Sequence, residues 1–334
     1  MANYNVLTLS EPVTDFVATT SPETINVQCS LSEDAQRKRV WAVCKSGGIP
    51  AHPYDGVRVL MAGGAAVAAT ISGLINDTEY GVRVFVEGAY GYQTALEGAT
   101  AMATPRAGQP ASALPVGAIA KIVEGGTPTD YLVVHQGLPS DMYDTSCNGT
   151  WLLRKDAYEV RQWHGSKDNR YASSDIHSYL NGAFLARFES SIQSAIKQVK
   201  IPYGAGRSTA TVYSGTYGLS AKLFLLAGYE VGFAKSDNKR IVDDGTLLNY
   251  FSSGTGSGAN KRRLAHLNGT AIDWWLRSPQ DNISDYVWLV YADGSYGTGV
   301  YVTLTYGVRP ACIIPSNMLF SLEPNPDGSY SPIL

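Results

Sequence analysis

The chain has 334 residues, 44 % of them hydrophobic and 16 % charged, with a formal net charge of −3. That length suggests two or three domains, and the near-neutral balance excludes the electrostatic footprint of a nucleic-acid-binding surface. Thirty-four Gly, and 21 Tyr against 8 Phe, favour turns, strands and polar-aromatic surface over long helices.

Cys29, Cys44, Cys147 and Cys312 show no CxxC spacing, so neither a disulfide framework nor a zinc ribbon is expected. The start, MANYNVLTLSEPVTDF, lacks the basic region and apolar core of a secretory signal. The longest apolar run, LMAGGAAVAATI, is too short to span a bilayer. Synthesis in a cytoplasm and no membrane insertion are therefore expected, and the sequons at Asn76, Asn148, Asn268 and Asn282 read as chance.

After an N-terminal segment of residues 1–10, residues 11–105 carry TINVQCSL, RVWAVCKS, DGVRVLMA, AAVAATISG and YGVRVFVEG between Gly, Pro, Asp and Asn turns. Regular short strands without helical periodicity predict an all-β sandwich. Within ISGLINDTEYGVRVFVEG, Leu74 precedes Tyr80 by six residues and an alternating strand follows. This resembles the tyrosine corner of fibronectin type III domains, where the Tyr hydroxyl bonds backbone across the sandwich. The usual buried Trp of the second strand is absent and Cys29 sits near its place, so the domain is fibronectin-III-like or, more broadly, immunoglobulin-like.

RAGQPASALP, residues 106–115, reads as a linker. Residues 116–317 read as an α+β unit, with 318–334 as a tail. KIVEGG, TDYLVVHQG and GTWLLRKD predict strands and turns. SSDIHSYLNGAFLARFESSIQSAIKQV predicts helix, capped by Ser174 or Asp175, with Ile176, Tyr179, Leu180, Phe184 and Phe188 on one face. Gly182 is expected to break it, a second helix running from about Glu189 to Val199. No internal repeat of 20 to 50 residues is visible.

Tyrosine then recurs at Tyr286, Tyr291, Tyr296, Tyr301 and Tyr306, and residues 281–306 contain no Lys, Arg, Glu, Gln or Met. Five-residue steps fit neither a strand face nor a helix face. Large, stiff Tyr among adaptable Ser, Gly and Asn is the composition of antibody paratopes. The expectation is one exposed patch of Asn282, Ser284, Tyr286, Tyr291, Ser295, Tyr296, Thr298, Tyr301, Thr303 and Tyr306. Trp274, Trp275, Arg277, Gly307 and Arg309 form its structural flanks, with both Arg bonding carbonyls or carboxylates at the base of the loops.

YLNGAFLARF, LFLLAGYEVGF, DWWLRSP, an insert and GVRPA together resemble the C-type-lectin-fold domains of the formylglycine-generating-enzyme type. They are most similar to those in variable proteins of diversity-generating retroelements and their phage and gut-bacterial relatives. The resemblance implies that template adenines become random bases on reverse transcription. Asn codons then yield Tyr, Ser, Thr, Asp, Gly, Val, Ile or Leu, but not Lys or Glu, and residues 281–306 consist largely of that set. It further implies a ligand-binding protein, a phage receptor-binding or tail-associated protein recognising a host-cell-surface protein or glycan. Other virion proteins are possible partners, oligomerisation is compatible, and the location is the virion.

The alternatives are a formylglycine-generating or sulfatase-modifying enzyme and a bacterial surface adhesin. The enzyme needs paired redox cysteines; the second half holds only Cys147 and Cys312, without a paired motif, and Cys312 reads as core. No GxSxG, HExxH, P-loop or EF-hand pattern occurs. His135, His164, His177 and His266 lack metal-ligand spacing. Glu323–Asn325 (EPN) matches a sugar- and calcium-binding tripeptide but lacks its partner motif, and DNISD and YADGS lack the ligand density of a calcium site. No catalytic residue, metal or cofactor is expected.

Overall fold

Strand β2, Thr24–Leu31, buries Ile25, Val27, Cys29 and Leu31 and leaves the residues between them at least partly exposed. That is the period of a sheet with one face on a core. The computed structural model describes residues 13–33, 35–88, 91–94, 99–234, 240–252, 257–297 and 299–333; the segment 1–10 lies outside them. The chain divides into two units, Met1–Gly108 and Gln109–Leu334.

In the first unit β1 (Val13–Ser21), β2, β6 (Ala66–Ser72) and β5 (Ala62–Gly63) form one sheet in the order β1-β2-β6-β5. β4 (Val57–Leu60), β3 (Val40–Ser46), β7 (Tyr80–Gly88) and β8 (Gly91–Thr94) form the other, and β9 (Thr100–Ala103) also pairs with β7. All these pairings are antiparallel. This is the strand order of a fibronectin type III-like sandwich. Ile25, Val27, Ala42, Cys44, Val82 and Val84 are in its core. The Tyr80 hydroxyl accepts the Ile75 backbone N–H at 3.0 Å, a bond five residues back in the turn and not one across the sandwich. Cys29 and Cys44 are free and buried, and burial pushes both thiols up to about 11.

The second unit is built on strands too buried to alternate. Gly149–Arg154 hides every side chain but the last, and Trp274–Pro279 hides all six. Such runs belong at the centre of a sheet covered on both faces. Each is the middle strand of five. One sheet runs Ile119–Glu124, Thr127–Gly137, Gly149–Arg154, Ala311–Ile314, Leu223–Phe224; the other runs Val160–Gln162, Thr305–Gly307, Trp274–Pro279, Tyr286–Val290, Val300–Tyr301. Both sheets and the short helices share one core.

Three expectations are corrected. Residues 108–115 are not linker. Gly108–Pro110 pairs into a sheet with Leu319–Ser321 and Pro332–Ile333, and Ala111 and Leu114 are core. Residues 318–334 are likewise no loose tail: Phe320 is fully buried, and the Tyr330 carbonyl accepts the Lys121 N–H at 2.8 Å. In each case apolar side chains too sparse to show periodicity find partners far away in sequence. The helical stretch starts as expected, the Ser174 Oγ accepting the His177 N–H at 3.2 Å. Yet Gly182 does not break it. Gly182 lies in a π turn, Leu180–Phe184, and the backbone leaves the helical region at Phe188, before the second helix, Ser190–Ala195. Phe188 stacks on Phe184 and Tyr131 while its backbone bridges Glu124. Tertiary packing sets the break.

Arg106 is exposed between the last strand of the first unit and the first strand of the second. Limited trypsin digestion is expected to cut after Arg106 first and leave two fragments that each unfold cooperatively. Early cleavage at Arg187 or Lys197 would contradict the division.

Candidate functional site

The floor of the site is the strand Trp274–Pro279. Trp274 and Trp275 are fully buried. The indole N–H of Trp274 donates to the Arg263 carbonyl at 2.9 Å and that of Trp275 to the Arg161 carbonyl at 2.8 Å, so each ring is oriented as well as buried. Arg277 is buried and forms a bidentate pair with buried Glu230, 2.6 Å on each side. Its other N–H groups donate to the carbonyls of Pro202, Leu225 and Asp244 at 3.0, 2.9 and 3.1 Å. Arg309 donates to the Arg154 carbonyl at 2.9 Å and lies 4.8 Å from the Trp274 ring; burial pulls its guanidinium down to about 10. A Cβ on Gly307 would stand 3.0 Å from the Asp273 carbonyl and 3.1 Å from the Ala157 methyl, which is why the strand exit passes through glycine there.

The tyrosines fall into two groups at the ends of one strand. Residues 281–306 include Val287, Trp288, Leu289 and Val290, all core, so the strand Tyr286–Val290 is a buried rib with tyrosines at its two ends. The ends are ~13 Å apart at the usual strand rise. At one end Tyr286 pairs with Tyr301 across strands, rings edge to face at 4.4 Å. Asn282 and Ser284 are exposed in the loop leading to Tyr286; Tyr301 is 43 % exposed and Thr303 half-buried just after it. The Tyr301 side chain, as hydrogen-bond partner, holds the Tyr286 hydroxyl above its ordinary value.

At the other end Tyr291 is half-buried against the core, and Ser295 donates its N–H to the Asp293 carboxylate at 2.8 Å. Tyr296 is 39 % exposed but anchored: its hydroxyl donates to the Gly232 carbonyl at 2.8 Å, and its ring meets Phe233 at 4.4 Å and the Arg263 guanidinium at 4.6 Å. Tyr306 lies edge-on to Trp275 at 4.8 Å. Thr298 lies outside the described residues. At the Tyr286–Tyr301 end, Asn282, Ser284 and Tyr301 are exposed and Tyr286 and Thr303 half-buried.

Three residues that hold this surface had no signal in the pattern. Asn169, fully buried, donates from Nδ2 to the carbonyls of Ile283 and Tyr286 at 2.7 and 2.8 Å, and its backbone N–H donates to Ser284. Arg263 donates to the carbonyls of Gly294 and Val231 at 2.7 and 3.1 Å and to Asn260 Oδ1 at 2.7 Å, clamping the far turn. Glu230 completes the Arg277 pair. Asn169 sits in an ordinary polar loop sequence and Arg263 ends a run, KRR, that reads as solvated surface. Among the described residues no three His, Cys, Asp or Glu stand where they could hold a metal ion, and no helix is long and apolar enough to cross a membrane. Burial pushes the thiols of Cys147 and Cys312 up to about 12, far from a reactive thiolate.

The sequence profile of the family described as Domain of unknown function (DUF6273) matches residues 148–316, about half of the chain and all of this site; the chain belongs to that family. Three solved structures similar to the chain each cover about three tenths of it. The FN5 domain of Drosophila Lar is 14 % identical over 29 % of this chain and 96 % of that one, TM-score 0.21. A fibronectin type III domain derived from human KIAA0970 protein is 16 % identical over 30 % and 77 %, TM-score 0.23. A myokine is 16 % identical over 29 % and 100 %, TM-score 0.22. No curated protein matches.

Two outcomes follow from the site's packing. Trp275→Ala should cost on the order of 3–5 kcal/mol by emptying a core position, whereas Tyr301→Ser should cost about 1 kcal/mol or less, the worth of an exposed cross-strand pair; urea titration checks both. Tyr296→Ser should fall between them. The second outcome concerns Asp244, which accepts Ser278 Oγ at 2.6 Å and whose carboxyl burial pushes up to about 6. An unfolded Asp titrates near about 4. Between those values the folded protein keeps a proton the unfolded chain has lost, so this group's contribution to stability falls as pH rises from about 4 to about 6 and is level above. Asp244→Asn should abolish that fall. The difference between the variant and the parent protein, measured across the window, should grow with pH and then level off.

Proposed function

We propose that this member of the DUF6273 family is a ligand-binding protein whose second unit, a C-type-lectin-type scaffold of the retroelement variable-protein kind, recognises a macromolecule on a host-cell surface. The setting is a phage receptor-binding or tail-associated protein, with the fibronectin type III-like unit as spacer or attachment module. The observation that carries the reading is the contrast across one strand pair. Tyr286 and Tyr301 stack at the outer edge with Asn282 and Ser284 beside them, while one residue inward every side chain from Val287 to Val290 is core.

Such a layout suits recognition. Tyr presents a large contact area with two side-chain torsions to immobilise, so little entropy is lost on binding. The floor beneath is held by buried hydrogen bonds, so changes at the edge leave the scaffold intact. Non-catalytic binding fits the inert, buried cysteines and the hydrogen-bonded state of the buried Glu230, whose carboxylate is fully engaged by Arg277, Tyr143 and the Ala227 N–H.

The test is a graft. Placing this chain's side chains at 282, 284, 286, 301 and 303 on a relative with a different edge should transfer adsorption from the relative's host cells to those of this protein. Tyr286→Ala or Tyr301→Ala should each weaken binding by about 2 kcal/mol, as central aromatic anchors do, and several copies on one particle would mask part of the loss through avidity. Recognition that stays with the recipient scaffold refutes the proposal. A near-copy of the codons for residues 281–306 beside a reverse-transcriptase gene would independently support the diversification mechanism.

A further inference from the structure

We infer that the Tyr286–Tyr301 surface takes a ligand bearing an anionic oxygen group (carboxylate, sulfate or phosphate) and that Arg207 and Arg170 are the side chains that meet it. This rests on reading that surface as a binding site, and it names the chemistry of the ligand.

Residues 281–306 hold no Lys or Arg, so any cation at this edge must come from elsewhere in the fold. The structure brings Arg207 and Arg170 by one route, and Arg240, whose carbonyl accepts the Asp281 N–H at 2.8 Å, by another. Asn169, which holds the Ile283 and Tyr286 carbonyls, also accepts the Arg207 N–H on Oδ1 at 2.7 Å. One buried amide therefore fastens the tip of the hairpin of Tyr203–Gly206 and Thr209–Tyr213 to the loop before Tyr286. Arg170 is the next residue along. Both guanidinium groups fork onto the Asp168 carboxylate, Arg170 at 2.5 Å and Arg207 at 3.1 Å.

The two cations are not there only to neutralise that carboxylate. Asp168 is 10 % exposed at its side chain, whereas Arg170 is 45 % and Arg207 61 % exposed. Arg170 alone already supplies Asp168 with its Nε, its Nη2 and its backbone N–H. Arg207 is redundant for that purpose, and the backbone that carries it is strained. Arg207 and Ser208 have φ of 54° and 66°, the two-residue turn that ordinarily takes Asn-Gly. A bulky residue in that region costs free energy. The arrangement sets two guanidinium groups on the Asp168 carboxylate, with Nη1 of each without a protein partner among the described residues. Planar forks with unused N–H groups at a surface suit bidentate contact with an oxyanion. The adjoining loop also carries two carboxylates, Asp281, which accepts the Asn282 N–H at 2.8 Å, and Asp285 next to Tyr286, so the anion contact falls to the guanidinium forks, with Asn282 and Ser284 as neutral donors beside the aromatic pair.

The strain supplies the test, because the favourable backbone residue and the proposed loss of function coincide. The full chain would be titrated against immobilised heparin, polygalacturonate, polyphosphate and neutral dextran, at about 50 and about 200 mM salt, where ionic contacts weaken. At least one anionic polymer should bind, more weakly at the higher salt, and dextran should not. Arg207→Asn should weaken that binding about tenfold while leaving the melting temperature unchanged or raised, since Asn tolerates this φ. Arg207→Lys should give a partial loss, keeping charge without the fork. Which polymer binds best separates sulfate, carboxylate and phosphate. Failure of every anionic polymer to exceed dextran, or unchanged binding by Arg207→Asn, overturns the inference. Tyr301→Ala separates it from the broader reading. Loss with Arg207→Asn but not with Tyr301→Ala supports the anion contact and refutes the tyrosine surface. Loss with Tyr301→Ala but not with Arg207→Asn refutes the anion contact and leaves the tyrosine surface standing.

Discussion

The second unit depends on the buried pair of Arg277 and Glu230. Withdrawing two charges from water costs several kcal/mol per ion, and their attraction repays this only when every remaining donor and acceptor is satisfied. Here it is. The five N–H groups of Arg277 meet five oxygens: two from Glu230 and the carbonyls of Pro202, Leu225 and Asp244. Glu230 also accepts from Tyr143 and the Ala227 N–H. Segments near residues 143, 202, 225, 230, 244 and 277 thus converge on one point. Truncating either partner would strand a buried charge, at a cost on the order of 3–5 kcal/mol. The neighbouring Ser278, between the Asp244 carboxylate and the Gly228 N–H, extends the same network toward the end of the strand.

That network explains how a surface can be permissive. The strand Trp274–Pro279 is fixed along its length, and the strand Tyr286–Val290 is registered against it at Trp275 and Leu289. Asn169 holds one end of the second strand and Arg263 holds the other, both by bonding backbone carbonyls and not side chains. A clamp on carbonyls is indifferent to which side chain stands at Asn282, Ser284 or Tyr286. The buried rib, Val287 to Val290, is where substitution would be felt.

Physical chemistry also separates the two tyrosine groups. Tyr286 and Tyr301 meet each other edge to face, and Tyr301 remains 43 % exposed. Tyr296 is bonded to Gly232 and packed on Phe233 and Arg263, and Tyr306 is packed on Trp275. Equal sequence spacing hid this difference, because whether a tyrosine is anchor or surface depends on what stands opposite it.

By itself the sequence determined the elements whose signal is local. Alternation marked the strands of the sandwich, the six-residue step from Leu74 to Tyr80 marked its corner, and Ser174 marked a helix start, because each is a relation between residues a few positions apart. Trp274, Trp275 and Arg277 could be read as a base because large aromatics and a guanidinium in an uncharged run have few other stable uses. Only the tertiary structure decided that residues 109–115 and 318–333 pack into the second unit, that Phe188 and not Gly182 ends the helical stretch, and that the tyrosines divide between the two ends of one strand. It alone brought Asn169 and Arg207 to the loop before Tyr286, across more than 70 residues of chain. Those outcomes rest on packing and hydrogen bonds between distant segments, for which no periodicity in the chain carries a signal.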